Sequence, residues 1–265
     1  MVNNFLRKRV FNGIFDSDAD LFIKNAGIID LGQKSAINDL VMSLKSNNIW
    51  NKLKATYPFV GGTESQHKFN LKDPRDLDEA FRLNFQGTVT HSLNGIQGDG
   101  ITGYADTNLN EQSSITLNSG HVGVYSITDL NVSSVELGVR RNVLGYGTQL
   151  FCRFNGNLLT RNQSSEPAGS TFTNPNSLGF FASSRISSPS YIVQINNNQS
   201  TANIPSTSLS NFNFFILARN NQSVAENFSS RQIAFATIGD GLSSIELTSL
   251  KNIINTFQTS LGRNV

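Results

Sequence analysis

The sequence predicts a mainly β protein: a two-sheet sandwich from about residue 63, led in by two or three helices and closed by one. Three observations carry this. Between about residues 81 and 239 the apolar residues recur in short runs with a period of two, as strands with one buried face require. The runs are separated by Gly, Asn and Asp, the residues that tight turns select. Apolar residues are 38% of the chain and charged residues 15%, with Asn, Ser, Thr and Gly filling the balance. That mixture suits strands with polar outer faces, whereas helix bundles draw on Ala, Leu, Glu and Lys.

The N-terminal part is helical. Residues 1–15 show no clear period, but Ser17 or Asp18 can cap a short helix carrying Leu21, Phe22 and Ala26, which Gly27 ends. A second helix starts near Gln33, with Ile37, Leu40, Val41 and Leu44 on one face. Asn47-Asn48 interrupts it, and Ile49, Trp50 and Leu53 continue it for a turn or two before Tyr57-Pro58 stops it. Gly61-Gly62 then marks a boundary. Residues 1–62 are expected to form a docking and assembly segment, and residues 63–265 the sandwich.

Strands follow. Phe81, Leu83 and Phe85 alternate with polar residues, and Gly95 to Gly103 reads as a loop. Ile115 and Leu117 start a strand, and His121 to Ile127 alternates. Val135, Leu137 and Val139 share a face, as do Leu150, Cys152 and Phe154. The Asn155-Gly156 turn before Leu158 is a strong hairpin signal, because a type I′ turn needs positive φ at both central residues. The polar tract Asn162 to Asn176 reads as a long loop. Further strands carry Leu178, Phe180 and Ala182, then Tyr191, Val193 and Ile195, then Phe212 to Ala218, and then Ile233, Phe235 and Thr237. The later strands also carry Phe181, Phe215, Leu217 and Ala236 on their opposite faces, as strands covered on both sides would. Ser243-Ser244-Ile245-Glu246 is a capping box. It opens a helix over 244–261 whose stripe is Leu247, Leu250, Ile254, Phe257 and Leu261, with Gly262 as its cap.

Charge and cysteine content exclude several classes. With 21 basic and 19 acidic residues the net charge is +2, which demands neither nucleic acid nor anionic lipid. The one basic cluster, Arg7, Lys8 and Arg9, reads as a solvated or docking arm. Cys152 stands alone, so neither an intrachain disulfide nor a cysteine-rich zinc site is expected. No run approaches the roughly 20 apolar residues of a membrane span, and no signal peptide is expected.

Residues from about Leu178 onward resemble the closing half of a concanavalin A-like, or laminin-G-like, jelly roll. They comprise a strand with an Asn-rich hairpin (Tyr191 to Asn198), the strand Phe214 to Ala218, the Arg-led strand Arg231 to Phe235, and a Gly-Asp-Gly-Leu-Ser helix start. Three further stretches resemble structural proteins of tailed bacteriophages and prophages. They are Ile49 to Ala55 with Tyr57 to Gly62, His67 to Asp76, and Gly100 to Asn108; the ending from Ile233 to Val265 completes the likeness. The resemblance implies a non-enzymatic virion component, such as a capsid decoration, fibre or tail part, located in the virion. It would assemble with other virion proteins and with copies of itself, and contact the host surface. It supplies no catalytic residues and no cofactor.

The residues leave two alternatives open. One is a carbohydrate- or receptor-binding module. A Gly/Asp loop with Asp99 and Asp106 would offer it oxygen ligands for Ca²⁺. The other is a polysaccharide-degrading enzyme. Against it, no strand carries closely spaced carboxylates, and Asp73, Asp76, Asp78 and Glu79 fall in a turn beside Arg75 and Arg82. A lyase would need His91, His121 and Tyr125 in one groove. For assembly, Ile49, Trp50, Leu53 and Tyr57 form the expected interface anchor.

Overall fold

The computed structural model describes residues 15–141, 145–165 and 170–265. The basic cluster Arg7 to Arg9 lies outside them. The chain opens with α1 (Ser17–Asn25), capped by Asp16, and α2 (Leu31–Ser46), capped by Asp30. A single 3₁₀ turn (Trp50–Lys52) leads into β1 (Leu53–Tyr57), and α3 (Glu64–His67) follows. Next come β2 (Asn84–Gln86), β3 (Val89–Ser92), β4 (Gly95–Gly98), β5 (Tyr104–Asn110), α4 (Glu111–Ser114) and β6 (Gly120–Ser126). The middle of the chain gives β7 (Leu137–Arg141), β8 (Tyr146–Phe154), β9 (Asn157–Ser164), β10 (Ser170–Thr173) and β11 (Gly179–Arg185). The last third gives β12 (Tyr191–Ile195), β13 (Asn198–Ala202), β14 (Asn213–Ile216), β15 (Arg219–Asn221), β16 (Val224–Glu226), β17 (Gln232–Gly239) and α5 (Ser244–Ser260).

These strands make two sheets, the jelly-roll sandwich that the sequence predicts. The first runs β13-β12-β11-β6-β17-β4-β3, with β1 also on β17. The second runs β10-β9-β8-β7-β14-β5-β2, with the β15-β16 hairpin beside β7. Every pairing is antiparallel except that of β15 with β7. Between the sheets lies a core that includes Leu109, Val122, Val139, Leu150, Phe181 and Phe214. A second core forms on the other side of the first sheet. There α1, α2 and α5 pack Phe22, Leu40, Leu250 and Phe257 onto Tyr125, Phe180 and Phe235. The first sheet is therefore covered on both faces, and every residue of β6 and β11 is buried. The apolar residues on both sides of β11 and β17 are explained by the chain's own helices, whereas Phe215 of β14 lies on the outer face of the second sheet.

The N-terminal segment differs from expectation. Leu53–Tyr57 is a strand, not a helical continuation. It hydrogen-bonds β17, with Leu53 opposite Gly239 and Tyr57 opposite Ala236. A boundary at Gly62 would thus cut through a sheet. The expected interface anchor is core: Ile49 and Tyr57 are fully buried, Leu53 is 3% exposed and Trp50 7%. Tyr57 donates its hydroxyl proton to Phe81 O at 2.6 Å, and the ammonium of Lys72 caps the Trp50 ring 4.0 Å from its centroid. An aromatic cluster of this composition marks desolvation, which a monomer core satisfies as well as an interface does.

Smaller departures follow from local chemistry. Phe81 takes φ 60° at the end of a 3₁₀ turn, so only Asn84–Gln86 of that run pairs. Ile115 follows the helical turn α4, and Thr116 and Ser119 close a bridge instead of a strand. Gly95–Gly98 is a strand, and Ser170–Thr173 pairs with β9 inside the tract expected to be a loop. The Asn155-Gly156 turn has φ 50° and 75°, as the hairpin signal requires. The capping box of α5 is complete, and Gly262 sits at φ 68°.

Candidate binding face

Helices cover one face of the first sheet, and the inter-sheet core covers the other. Among the described residues, the sheet face left without a helical layer is the outer face of the second sheet. Alternation decides what it carries. In β5, Ala105, Thr107 and Leu109 point inward, so Tyr104, Asp106 and Asn108 point outward. In β7, Leu137 and Val139 face the core, which turns Gly138 and Arg140 outward. By the same rule β8 presents Gln149 and Phe151, β9 presents Leu159 and Arg161, and β14 presents Phe215.

Register then lines these residues up. Asn84 lies opposite Asp106, Asp106 opposite Phe215, and Phe215 opposite Gly138. Gly138 lies opposite Gln149, and Gln149 opposite Arg161. On the hairpin, Arg219 pairs across to Glu226 and sits beside Gly138. The result has three zones. In the middle Tyr104, half-buried, lies over the nearly buried Phe215 at a tilt of 31° (centroids 4.6 Å apart) and approaches Phe228 (6.1 Å). On one side Asp106 accepts from Asn108 N (2.8 Å) and Asn213 Nδ2 (3.1 Å), and desolvation raises its pKa. On the other side are Arg140, Arg161, Arg219, Gln149 and Glu226.

This last zone is tightly organised. Arg219 Nε and Nη2 donate to Glu226 Oε1 at 2.9 and 2.5 Å, and its Nη1 donates to Gln149 Oε1 at 2.8 Å. Arg140 stands 3.9 Å from the same carboxylate oxygen. Gln149 is fully buried, yet its Nε2 has no hydrogen-bond partner among the described residues. A buried donor without an acceptor costs about 1–3 kcal/mol.

The other expected sites resolve differently. Asp99 folds onto its own loop: Oδ1 accepts from the N–H groups of Ile101, Thr102 and Gly103, and Oδ2 from the Thr102 hydroxyl. Those hydrogen bonds hold its pKa well below the usual carboxylate range. Asp106 stands on β5 with amide partners. Among the described residues no group of three or more His, Cys, Asp or Glu side chains is placed to hold a metal ion. The donor set gives no support to calcium at Asp99 and Asp106.

The histidines are dispersed. His121 and Tyr125 lie on β6 with 1% exposure each, on the face turned to the helices. His121 Nδ1 is 2.6 Å from Asp240 O, and burial pushes its pKa down to about 4. His91 lies on β3, with β17 and β4 intervening between it and β6, so the three do not share a groove. His91 pairs instead with His67, Nδ1 to Nδ1 at 3.0 Å. Gly62 N–H donates to His67 Nε2, so neutral His67 carries its proton on Nδ1 and donates to His91. Burial pushes His67 down to about 3. Cys152 is buried, and burial raises its thiol pKa.

Other buried charges hold the fold. Arg231 Nη1 meets Glu136 Oε1 at 2.5 Å with both side chains fully buried. Arg185 donates to the carbonyls of Asn162, Ser187, Ser188, Ser190 and Ile204. Arg263 ties Phe59 O and Pro58 O to the end of the chain.

No family model matches the chain, and no curated protein matches it. Solved structures align at low identity. A mutant of Trypanosoma rangeli sialidase displaying trans-sialidase activity aligns over 87% of this chain and 40% of its own, at TM-score 0.49 and 10% identity. Domain 4 of an extracellular arabinanase from Geobacillus stearothermophilus, in complex with arabinotriose, aligns over 76% of this chain and 98% of its own (TM-score 0.42, 16% identity). The binding domain of botulinum neurotoxin serotype D aligns over 77% and 52% (TM-score 0.47, 12% identity). This chain thus spans about 40% of the sialidase. The class defined by its two sheets is a jelly-roll β-sandwich. Likeness at this level carries no ligand or activity across.

Proposed function

We propose that this chain is a binding module that takes a saccharide on the outer face of its second sheet. A sugar ring has apolar C–H faces and a rim of hydroxyls that both donate and accept. It is held by an aromatic surface with planar polar side chains around it. The observation that carries the reading is the Tyr104–Phe215–Phe228 platform between the Asp106/Asn213 side and the Arg/Gln149 side. The test is binding of the full chain to a broad glycan panel, with and without calcium, beside Tyr104→Ala. Binding that falls at least tenfold in the folded variant supports the reading; silence across the panel refutes it. Shortening of the bound glycans on incubation would instead favour the enzyme alternative.

A second reading, a virion component, rests on the sequence resemblance. Its first two stretches pack together: Asn70 Nδ2 donates to Lys54 O at 3.1 Å, and Gly62 N donates to His67 Nε2 at 3.3 Å. A module of this kind on a particle would supply contact with a host surface. Detection of the chain in purified particles by mass spectrometry is the measurement; its absence from them refutes this reading.

A further inference from the structure

We propose that His67 and His91 form an acid-operated latch that holds α3 against β3 at the seam between the two sheets. β3 is the edge strand of the first sheet and β2 that of the second, and Gly87 and Thr88 connect them. His91 of β3 touches both neighbours: its ring centroid is 5.2 Å from that of His67 on α3 and 4.6 Å from that of Phe85 on β2. Each ring nitrogen has one role. Gly62 N–H donates to His67 Nε2 at 3.3 Å, so His67 carries its proton on Nδ1 and donates it to His91 Nδ1 at 3.0 Å. His91 then holds its own proton on Nε2, which is buried and has no hydrogen-bond partner among the described residues. The arrangement closes only when both rings are neutral.

Acid opens it. A second proton on His91 goes to Nδ1, where the His67 N–H already points, and a second proton on His67 goes to Nε2, where the Gly62 N–H points. Protonating either ring sets two N–H donors against each other, and the contact must part. The charged groups facing the pair are Glu64 of α3 and Arg263 near the chain end. Residues 58–62, β2 and β3 add no other titratable side chain, and Lys68 turns to Asp76. Glu64 favours a proton on His91 and Arg263 disfavours one on His67, so His91 takes the first. Burial holds both rings below the ordinary 6.5, His67 at about 3. The closed form therefore loses stability as pH falls from 6.5. For each histidine that gains a proton on opening, the open fraction rises up to about tenfold per pH unit, down to that ring's closed-form pKa. β3 is the element placed to move, since it pairs with β4 alone, over four residues. Parting uncovers Phe85 and Phe59, the latter 1% exposed and edge-on to His67.

The test is amide hydrogen exchange on the full chain from pH 7.5 to pH 4.5, corrected for the intrinsic pH dependence of exchange. Protection at Gly62 N–H and along β3 is expected to fall at least about tenfold between pH 7 and pH 5, while β6 and β11 keep theirs. His91→Asn offers an oxygen to the His67 N–H and does not titrate, so it is expected to keep that protection at pH 5. Imidazole nitrogen chemical shifts of the parent protein supply a reading that needs no variant. At pH 7.5 they are expected to place the proton of His67 on Nδ1 and that of His91 on Nε2. Unchanged protection at Gly62 and β3 overturns the latch, as does a fall shared equally by β6 and β11, which is global unfolding. The opposite pair of tautomers, or the same fall in folded His91→Asn, overturns it too.

Discussion

Glu111 is a carboxylate placed where charge is costly. It opens α4, is fully buried, and has two neutral partners: Thr148 Oγ1 donates to Oε1 at 2.5 Å, and Ser210 N donates to Oε2 at 2.7 Å. Desolvation outweighs those hydrogen bonds and raises its pKa from 4.5 to about 7. Between these values the unfolded chain has released the proton and the folded chain still holds it. Stability from this group is therefore complete below pH 4.5 and is lost as pH rises through about 7. A shift of that size corresponds to about 3 kcal/mol. Glu111→Gln cannot ionise and keeps an acceptor for Ser210 N–H. Urea unfolding of both proteins from pH 5 to pH 9 is the assay. The variant is expected to gain about 3 kcal/mol relative to the parent across that range, a relative midpoint shift of roughly 1 M at an m-value near 3 kcal/mol/M. Taking the difference cancels the histidines, which titrate alike in both proteins. Parallel curves, within about 0.5 kcal/mol, would refute the reasoning.

His121 works with the opposite sign. Its folded pKa near 4 lies below the ordinary 6.5, so the unfolded chain takes up the proton first and stability falls as pH drops from 6.5 to about 4. Thermal melts of His121→Asn are expected to lose that acid dependence, and an unchanged slope would count against it. Trp50→Ala is expected to destabilise by about 3–5 kcal/mol without changing the mass measured by light scattering. A stable variant of lower mass would restore Trp50 as an interface anchor. Asp99→Ala is expected to lower the melting temperature by the same amount in calcium and in chelator, and a calcium-dependent difference would return a metal to that loop.

The parts of the fold legible in the sequence were those whose determinants are local. The β8–β9 hairpin is set by Asn155-Gly156, and α5 by Ser243, Glu246 and its own stripe. The strand Leu53–Tyr57 was not legible, because its partner is β17 and nothing within the segment records it. Ile49, Trp50, Leu53 and Tyr57 have a spacing that a helix also shows. Ser170–Thr173 sits in a tract whose polar residues match an edge strand as well as a loop. The candidate face was hidden for a related reason. Arg140, Arg161, Arg219 and Gln149 each occupy an outward strand position, where a polar residue ordinarily means solvent. What sets Arg219, Gln149 and Arg161 apart is their alignment in one row across four strands, which depends on pairings such as that of Arg219 with Gly138. A faint signal was present in Tyr104-Ala105-Asp106, where an aromatic and an acid alternate with a small core residue.

The sharing of β17 between β1 and β4 has a consequence for how the molecule acquires its fold. Lys52 and Glu246 form an ion pair 194 positions apart, beside the Leu53–Gly239 pairing. As the chain leaves the ribosome, α1, α2 and β1 emerge long before the strand and helix they pack on. Until β17 arrives they have an apolar stripe with no sheet beneath it. Such non-local closure makes folding slow and leaves unpaired edges exposed meanwhile. Refolding of this protein should therefore be limited by the docking of its earliest segment onto its latest, and a chaperone that binds nascent apolar helices would act at that step.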